Sequence, residues 1–313
     1  FDGLGHTISN LHINNSSIDN IGLFGQTYNV DKIANINLTN VNITGMYHVG
    51  ALVGTARNTH IENVSSSGKV VGGFSVGGLV GYMTESPVTL LKSHSSADVS
   101  GTDESIGGLV GQLDNSAIRE SYATGDIIGG YNVGGLVGQS VNSTIENSYA
   151  TGNIDGTSNI GGLVGRLSDG KIENSYATGE VPIGSSNAGL IGYVAQGTKI
   201  INSFFDTETT KQTNAISNIS DAEGESGKTT AQMKDKGTFE GWDIEGDNKI
   251  DPSTPFLAWE NSEKGYTKKW VIGTKVIKPD PVDPKPDPVD PKPDPVDPKP
   301  DPKPDPKPDP KPD

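Results

Sequence analysis

A short glycine motif recurs along the chain at a nearly fixed spacing. Its clearest copy, Gly135-Leu136-Val137-Gly138, is followed seven residues later by Ile145-Glu146-Asn147-Ser148-Tyr149-Ala150-Thr151-Gly152, and both segments repeat 27 residues further on. The closing glycines of the strict and looser copies are Gly25, Gly54, Gly81, Gly111, Gly138, Gly165 and Gly192. A period of this length predicts a stack of equivalent units, in which neighbours bury each other's apolar faces.

The composition of each unit excludes a helical repeat. Each unit holds three or four glycines, and a glycine inside a helix costs about 1 kcal/mol relative to alanine. Short apolar runs that end at Gly or Asn are typical of strands joined by tight corners. We therefore predict an all-β fold for residues 1–205, a parallel β-helix in which about 27 residues form one coil.

Aligned units predict which side chains face inward. Counted from the residue at Ile145, the residues three and five positions later are small or apolar, as in Ser148 and Ala150. Residues two apart on a strand share a face, so both columns should line the interior after a bend. The predicted bend column is Asn10, Asn35, Asn63, Asn147, Asn174 and Asn202, interrupted by Lys92 and Glu120. The Leu and Val of the glycine motif cannot both face inward on a regular strand, unless a corner divides them.

An aromatic column should point outward, because it lies between the two inward columns. Its four consecutive rings would be about 4.8 Å apart, the spacing of neighbouring strands. The rings either form a ladder that only stabilises the stack, which is the simpler interpretation, or provide a platform for sugar rings or a partner protein. The candidate ligand-binding residues are Tyr122, Tyr149, Tyr176 and Phe204.

Carboxylates also form columns, as a polysaccharide-active enzyme would require. Glu62, Glu146 and Glu173 share an outward column with Arg119. An ion pair between Glu146 and Arg119 of neighbouring coils is the simpler interpretation, and a catalytic site is normally a departure from a repeat. The sequence contains no His-Glu-x-x-His zinc motif. We predict no catalytic residue and no cofactor.

The net charge and the absence of cysteine exclude some classes of partner and of chemistry. The formal net charge is −15, which argues against nucleic acid or an anionic membrane. Without cysteine the chain has no disulfide or thiol chemistry. No apolar run reaches the length of a membrane span.

The chain opens at Phe1 without a signal-peptide pattern, and we expect further coils or a cap upstream.

The sequence changes character after residue 205. We predict a loosely ordered segment over 206–232 and a small C-terminal cap over 233–272, which holds all three tryptophans. Residues 273–313 alternate Pro with Asp, Lys and Val, which predicts an extended polyproline II spacer.

An acidic stretch in the predicted cap is a candidate calcium loop. Asp243, Asp247 and Asp251 offer oxygen ligands along it. Its spacing misses the twelve-residue calcium pattern and it lacks the closing Glu, so a solvated acidic turn is the simpler interpretation.

These motifs resemble those of a known family. The Gly-Leu-Val-Gly repeats followed by Ile-Glu-Asn-Ser-Tyr-Ala-Thr-Gly look like the GLUG motif of bacterial surface and secreted proteins. The opening Phe1-Asp2-Gly3-Leu4-Gly5-His6-Thr7-Ile8-Ser9-Asn10-Leu11 is similar to segments of filamentous-haemagglutinin-like exoproteins. The resemblance covers about residues 1–260 and implies a right-handed parallel β-helix displayed outside a bacterium for adhesion. The motif also occurs in immunoglobulin A peptidases, and it carries no catalytic residue over.

Together these features predict a non-catalytic secreted or cell-surface module, either an adhesin or a stalk. Its partners would be host-cell glycans, surface proteins or other bacterial envelope components. The alternatives are a polysaccharide-active β-helix enzyme and a pure scaffold of a larger exoprotein.

Overall fold

A computed structural model describes residues 1–85, 88–195, 197–219, 226–246, 255–257 and 269–272. The chain divides into two units, Phe1–Val276 and Ile277–Asp313, and the described residues belong to the first unit. The predicted polyproline spacer, 273–313, lies outside them.

Within the described residues, the first unit is a parallel β-solenoid of about seven turns with roughly 28 residues per coil. Its first strands are β1 (Asp2–Ser9), β2 (His12–Asn14), β3 (Phe24–Thr44), β4 (Tyr47–Gly50), β5 (Val53–Gly72), β6 (Phe74–Gly77), β7 (Val80–Thr84), β8 (Val88–Leu91), β9 (His94–Ser95) and β10 (Asp98–Gly101). They continue as β11 (Glu104–Gly107), β12 (Val110–Asp114), β13 (Ser116–Arg119), β14 (Tyr122–Ala123), β15 (Ile127–Ile128), β16 (Tyr131–Gly134), β17 (Val137–Val141), β18 (Thr144–Glu146), β19 (Tyr149–Ala150) and β20 (Ile154–Asp155). The last strands of the stack are β21 (Ser158–Gly161), β22 (Val164–Ser168), β23 (Lys171–Glu173), β24 (Tyr176–Ala177), β25 (Asn187–Ala188), β26 (Ile191–Val194), β27 (Lys199–Ile201), β28 (Phe204–Asp206) and β29 (Gly227–Lys228).

The remaining elements lie near the end of the unit. They are the helices α1 (Thr207–Thr210) and α2 (Thr230–Met233), a 3-10 helix (Lys236–Phe239), and the strands β30 (Ile244–Gly246), β31 (Phe256–Leu257) and β32 (Trp270–Ile272). β32 pairs with β30 in parallel and with β31 in antiparallel fashion.

Each coil pairs with the next one in register, as the repeat predicts. In the coil from β15 to β19, Ile127 pairs with Ile154, Val137 with Val164, Ile145 with Ile172 and Tyr149 with Tyr176, always in parallel. The second strand of this coil, β16, belongs to a separate parallel sheet with strand order β25-β21-β16-β11-β6-β4, which we call the six-strand face. The predicted parallel β-helix is confirmed.

The predicted bend column is a corner in left-handed backbone conformation. Asn63 and Asn147 have φ of 53° and 48°, and the interruptions Lys92 and Glu120 both have φ of 47°. Asn tolerates this conformation better than other L residues. It also bonds along the stack, because the Asn63 amide donates to Oδ1 of Asn35 over 2.7 Å.

A serine column lines the interior and satisfies its own polar groups. The Oγ of buried Ser148 accepts the Ser121 N–H at 3.3 Å and donates to the Glu146 carbonyl at 2.8 Å. The same pair of bonds recurs at Ser93, Ser121, Ser175 and Ser203. A buried hydroxyl without partners would cost free energy, so the ladder makes a polar interior column stable. The inward direction predicted for this column is confirmed.

The glycine motif places both of its apolar residues inside. Leu136 and Val137 are fully buried, because a bend at Gly135–Leu136 separates β16 from β17. A Cβ on Gly138 would lie 2.3 Å from the backbone nitrogen of Ile106 in the previous coil. Only glycine permits this approach, which explains why the motif closes on glycine in unit after unit.

Residues that follow the last repeat close the end of the stack. The Ala215 carbonyl accepts the N–H groups of Leu190 and Ile191 at 3.1 and 2.9 Å, and β29 pairs with β28. The sequence predicts loose order over 206–232 and places the cover of the last coil in 233–272. The described part of 206–232 contains α1, β29 and the start of α2, and its backbone lies along the last strands, which satisfies their otherwise unpaired edge.

Replacing Gly138 by alanine should destabilise the solenoid by about 3 kcal/mol, since the new methyl group overlaps backbone that cannot move aside. Thermal unfolding followed by circular dichroism measures the change. The control is Gly237→Ala, whose added Cβ would approach another atom no closer than 3.4 Å and should leave the midpoint unchanged. Equal midpoints for both variants would contradict the packing argument.

Candidate functional site

The aromatic column forms a continuous stack outside the solenoid core. The ring centroids of His94 and Tyr122 are 4.6 Å apart, those of Tyr122 and Tyr149 4.8 Å, and those of Tyr149 and Tyr176 5.0 Å. The ring planes are within 11° of parallel. The register of the strands imposes this spacing, and Phe204 extends the column. The predicted stacking is therefore confirmed for Tyr122, Tyr149 and Tyr176.

Residues after the last coil cover this column. We call the described ranges 226–246, 255–257 and 269–272 the C-terminal segment. Trp270 lies over two rungs, with its ring centroid 6.2 Å from that of Tyr149 and 5.9 Å from that of Tyr176. Trp242 stacks on Phe204 at 6.0 Å and contacts Trp270 at 4.7 Å. Met233, Phe239 and Leu257 complete a second hydrophobic cluster, separate from the solenoid core.

Polar bonds tie the same segment to the coils. The indole N–H of Trp270 donates to Oδ1 of Asn147 at 3.2 Å, and the hydroxyl of Tyr176 donates to the carbonyl of Pro255 at 2.6 Å. The indole N–H of Trp242 donates to the Asn202 carbonyl at 3.0 Å. Each aromatic residue thus has an apolar body in the cluster and a satisfied polar end.

This cover changes what the aromatic column can do. Tyr149 and Tyr176 are only 2% and 1% exposed, while Tyr122 and Phe204 are half-buried. Ligand binding at these residues stays a prediction, but the exposure on which it depends is missing at the two central rungs. The sequence shows that the column leaves the core, but not that Trp270 packs on two of its rings and Trp242 on a third.

The candidate acidic column is held in ion pairs. Arg119 Nε lies 3.0 Å from Glu146 Oε2, and Lys171 Nζ lies 3.5 Å from Glu146 Oε1 and 2.5 Å from Glu173 Oε2. The hydrogen bond that the Lys171 ammonium donates to the Glu173 carboxylate raises the pKa of Lys171. The predicted pairing of Glu146 with Arg119 is confirmed. Glu146 is thus the partner of cations on both neighbouring coils, and Glu173 is the partner of Lys171 on its own strand.

The acidic stretch that was a candidate calcium loop is described only at its start. Asp247 and Asp251 lie outside the described residues. The backbone carbonyl of Asp243 accepts the Trp270 N–H at 2.9 Å, and its carboxylate accepts the Lys269 N–H at 3.3 Å. Asp243 therefore anchors the start of β32. In the part of the chain that the structure describes, no three His, Asp or Glu residues are grouped as a metal site would need.

Sequence reasoning missed another set of aromatic residues, on the six-strand face. Tyr47 and Phe74 occupy equivalent positions at the starts of β4 and β6, and Tyr131 pairs with Glu104 at the corresponding position of β16 and β11. Tyr47 is 38% and Tyr131 51% exposed. The available signal was a glycine pair directly before two of these rings, at Gly72-Gly73 and Gly129-Gly130. Glu104 interrupts the column, which hides it in an alignment of units.

A half-buried histidine lies on the same face. His48 has φ of 52°, its Nδ1 is 3.3 Å from Oδ1 of Asn20, and its ring centroid is 5.2 Å from that of Tyr82. Burial lowers the pKa of His48, and the nearby Asp19 partly opposes this.

Comparison with known proteins identifies the repeat. The family described as the GLUG motif matches residues 46–71, 102–128, 129–155 and 156–181. Four of the coils are GLUG motifs. Each match spans one turn of the solenoid.

Among the described residues, no helix is long and apolar enough to cross a membrane.

Relatives share the GLUG region and little else with this chain. Halomucin of Haloquadratum walsbyi is 41% identical over 99 residues, which are 32% of this chain and 1% of that protein. An immunoglobulin A1 protease of Streptococcus pneumoniae is 31% identical over 138 residues, 39% of this chain and 7% of the protease. An immunoglobulin A1 protease of Streptococcus sanguinis is 33% identical over 136 residues and is covered to the same 7%. The match thus spans only a small fraction of each relative.

A solved structure supports the fold alone. A Bacteroides ovatus protein that is assigned by name to the immunoglobulin A1 proteases superposes with a TM-score of 0.50. The alignment covers 65% of this chain and 68% of that structure at 21% identity. At this identity the likeness concerns the path of the backbone and not the chemistry of a site.

Replacing Trp270 by alanine should destabilise the described C-terminal segment by about 3–5 kcal/mol, because a large buried ring and its hydrogen bond to Asn147 are lost. We expect tryptophan emission to shift to longer wavelength and proteolysis to cut the C-terminal segment earlier than the coils. Tyr131→Ala, which truncates an exposed ring, is the control. Unchanged protease resistance in Trp270→Ala would show that the cover does not depend on this ring.

The lowered pKa of His48 predicts a loss of stability in acid. Because its folded-state pKa lies below the ordinary 6.5, the unfolded chain binds more protons as the pH falls past that value. The stability that neutral His48 supports is present above pH 6.5 and is lost as the pH falls through the folded-state pKa. His48→Asn should lessen the decline, since Asn132 and Asn159 adopt the same backbone conformation in later coils. Urea unfolding at several pH values measures the free energy of unfolding of both proteins. An equal decline with falling pH in the unaltered chain and in His48→Asn would refute the prediction.

Proposed function

We propose that this chain is a non-catalytic, rod-like module of a secreted or cell-surface protein, where it acts as an adhesin or a stalk. Its partners would be host-cell glycans, surface proteins or other components of the bacterial envelope. The observation that carries the proposal is the register of the coils, which repeats the same side chains along one axis.

The register supports a mechanical role. About seven turns, each advancing by roughly 4.8 Å, give a rod of about 34 Å. The serine and asparagine ladders add side-chain bonds between the same coils that the backbone joins. Bending the rod would stretch several of these ladders at once, so the module suits the separation of a functional domain from its anchor.

The surface chemistry supports a non-catalytic role. The acids that the sequence offered for catalysis, Glu146 and Glu173, are neutralised by Arg119 and Lys171. The protease names of the relatives describe whole proteins, of which this chain matches 7%. No contact within the described residues favours transfer of that activity to this chain.

The relatives support an extracellular location. They are named halomucin and immunoglobulin A1 protease, and an immunoglobulin is an extracellular substrate. The net charge of −15 would also keep a repetitive, strand-rich surface soluble and separate from other copies.

The adhesive role predicts that beads coated with the whole chain bind epithelial cells more than uncoated beads do. Beads coated with the Gly138→Ala variant, in which the register of the coils is disturbed, are the matched control and should bind less. Binding of coated beads at the level of uncoated beads would overturn the adhesive role and leave only the stalk.

The non-catalytic role is tested separately. We expect no released oligosaccharide when the chain is incubated with a panel of acidic polysaccharides, with or without Ca²⁺, and no cleavage of immunoglobulin A1. Product that accumulates in proportion to the amount of chain would contradict it.

A further inference from the structure

A shallow depression of about 320 Å³ lies beside the six-strand face. Its lining includes the ring of Tyr47, the polar side chains of Ser16, Thr44, Thr102 and Asp103, and the glycine corner at Gly72-Gly73. A Cβ on Gly73 would lie 3.0 Å from the Met46 carbonyl oxygen and 3.9 Å from Thr102 Oγ1, so a larger residue at this corner would narrow the depression. The volume is at the lower end of those of small-molecule sites.

The depression lies where the repeat is broken. Gly72 pairs with Gly101, an offset of 29 residues, whereas Val76 pairs with Ile106, an offset of 30. The corner after Gly101 therefore holds one residue more than its neighbour in the previous coil. The additional length brings Thr102 and Asp103 to the rim, and both are exposed. A departure from the repeat at one corner marks a local feature rather than a property of every coil.

One wall of the depression is aromatic. The Tyr47 ring is 38% exposed and meets the Phe74 ring edge to face, with centroids 6.3 Å apart and planes at 85°. Phe74 thereby holds the Tyr47 ring in place. A fixed, partly exposed aromatic ring beside hydroxyl groups and a carboxylate has one apolar surface and several hydrogen-bonding groups within one small volume.

The charge of the depression selects among ligands. Asp103 lines it, and none of its lining residues is Lys, Arg or His. A negatively charged ligand would be repelled by the Asp103 carboxylate. A ligand with many hydroxyl donors and no negative charge would instead form charge-assisted hydrogen bonds to Asp103.

We propose that this depression binds a neutral saccharide, such as a hexose or N-acetylhexosamine residue of a glycan. The C–H face of the sugar ring would pack on Tyr47, and its hydroxyl groups would donate to Asp103 and bond to Thr44 and Thr102. This inference rests on the proposed adhesive role and gives it a location. The proposed saccharide site lies on the six-strand face and not on the covered aromatic column.

The test uses the full chain and a panel of neutral oligosaccharides that end in galactose, glucose or N-acetylglucosamine, with lactose and 3′-sialyllactose as a pair that differs in charge. Binding is measured by saturation-transfer NMR and calorimetry up to about 10 mM, the range of weak affinities. We expect at least one neutral member to bind, and lactose to bind more tightly than its sialylated form.

Three variants locate the site. Tyr47→Ala should weaken binding by about tenfold or more, as removal of a central aromatic contact does, and Asp103→Asn should weaken it while keeping the shape of the rim. Tyr131→Ala is the matched control, because it removes an exposed tyrosine from the equivalent position three coils on, outside the depression, and should bind as the unaltered chain does. Circular dichroism and the thermal midpoint verify that each variant is folded.

Each of the following outcomes would overturn one part of the proposal. No binding by any neutral saccharide overturns the saccharide site, while continued adhesion of coated beads would leave the adhesive role standing. Binding that Tyr47→Ala and Asp103→Asn leave unchanged overturns its location. Tighter binding of 3′-sialyllactose than of lactose overturns the argument from charge.

Discussion

The structure depends on the parallel backbone pairing between one coil and the next. Once Tyr149 pairs with Tyr176 and Ile145 with Ile172, every side chain lies about one strand spacing from its equivalent. Identical side chains are therefore stacked along the axis and must pack or bond with one another without repulsion. Serines do so by relaying hydrogen bonds, asparagines by bonding amide to amide, and tyrosines by stacking. The glycine that closes each motif allows the backbones at the corner to approach closely enough for this register to persist.

The same pairing sets where charge can be placed. Arg119 and Glu146 occupy one column, and Lys171 stands in the neighbouring column within reach of Glu146 and Glu173. A column of equal charges would repel itself along its whole length. Arg119 beside Glu146, and Lys171 within reach of both Glu146 and Glu173, offset this repulsion, and exposed pairs of this kind contribute little further stability. The stack therefore gives each of these acids a cationic partner.

The aromatic column shows how a repetitive surface acquires a single use. Its rungs are alike in sequence, yet Trp270 lies over only two of them. Burial of these rings joins the C-terminal segment to the side of the solenoid, while residues near Ala215 cover its end. On the six-strand face the departure is smaller, one additional residue at the corner from which Thr102 and Asp103 line the depression beside Tyr47. In both places the distinct feature comes from a break in the period.

The sequence by itself determined the solenoid, its coil length, the Asn corners and the inward Ser and Ala columns, because each of these follows from a local pattern repeated at a constant interval. It also placed Glu146 opposite Arg119, since the register that aligns Ile145 with Ile118 aligns these two as well. Only the tertiary structure decided that Leu136 and Val137 both face inward, that Tyr149 and Tyr176 are covered, and that Tyr47 borders a depression. These depend on a bend between two strands, on contacts across more than a hundred residues, and on one added residue at a corner, and none of them recurs with the period from which the columns were inferred.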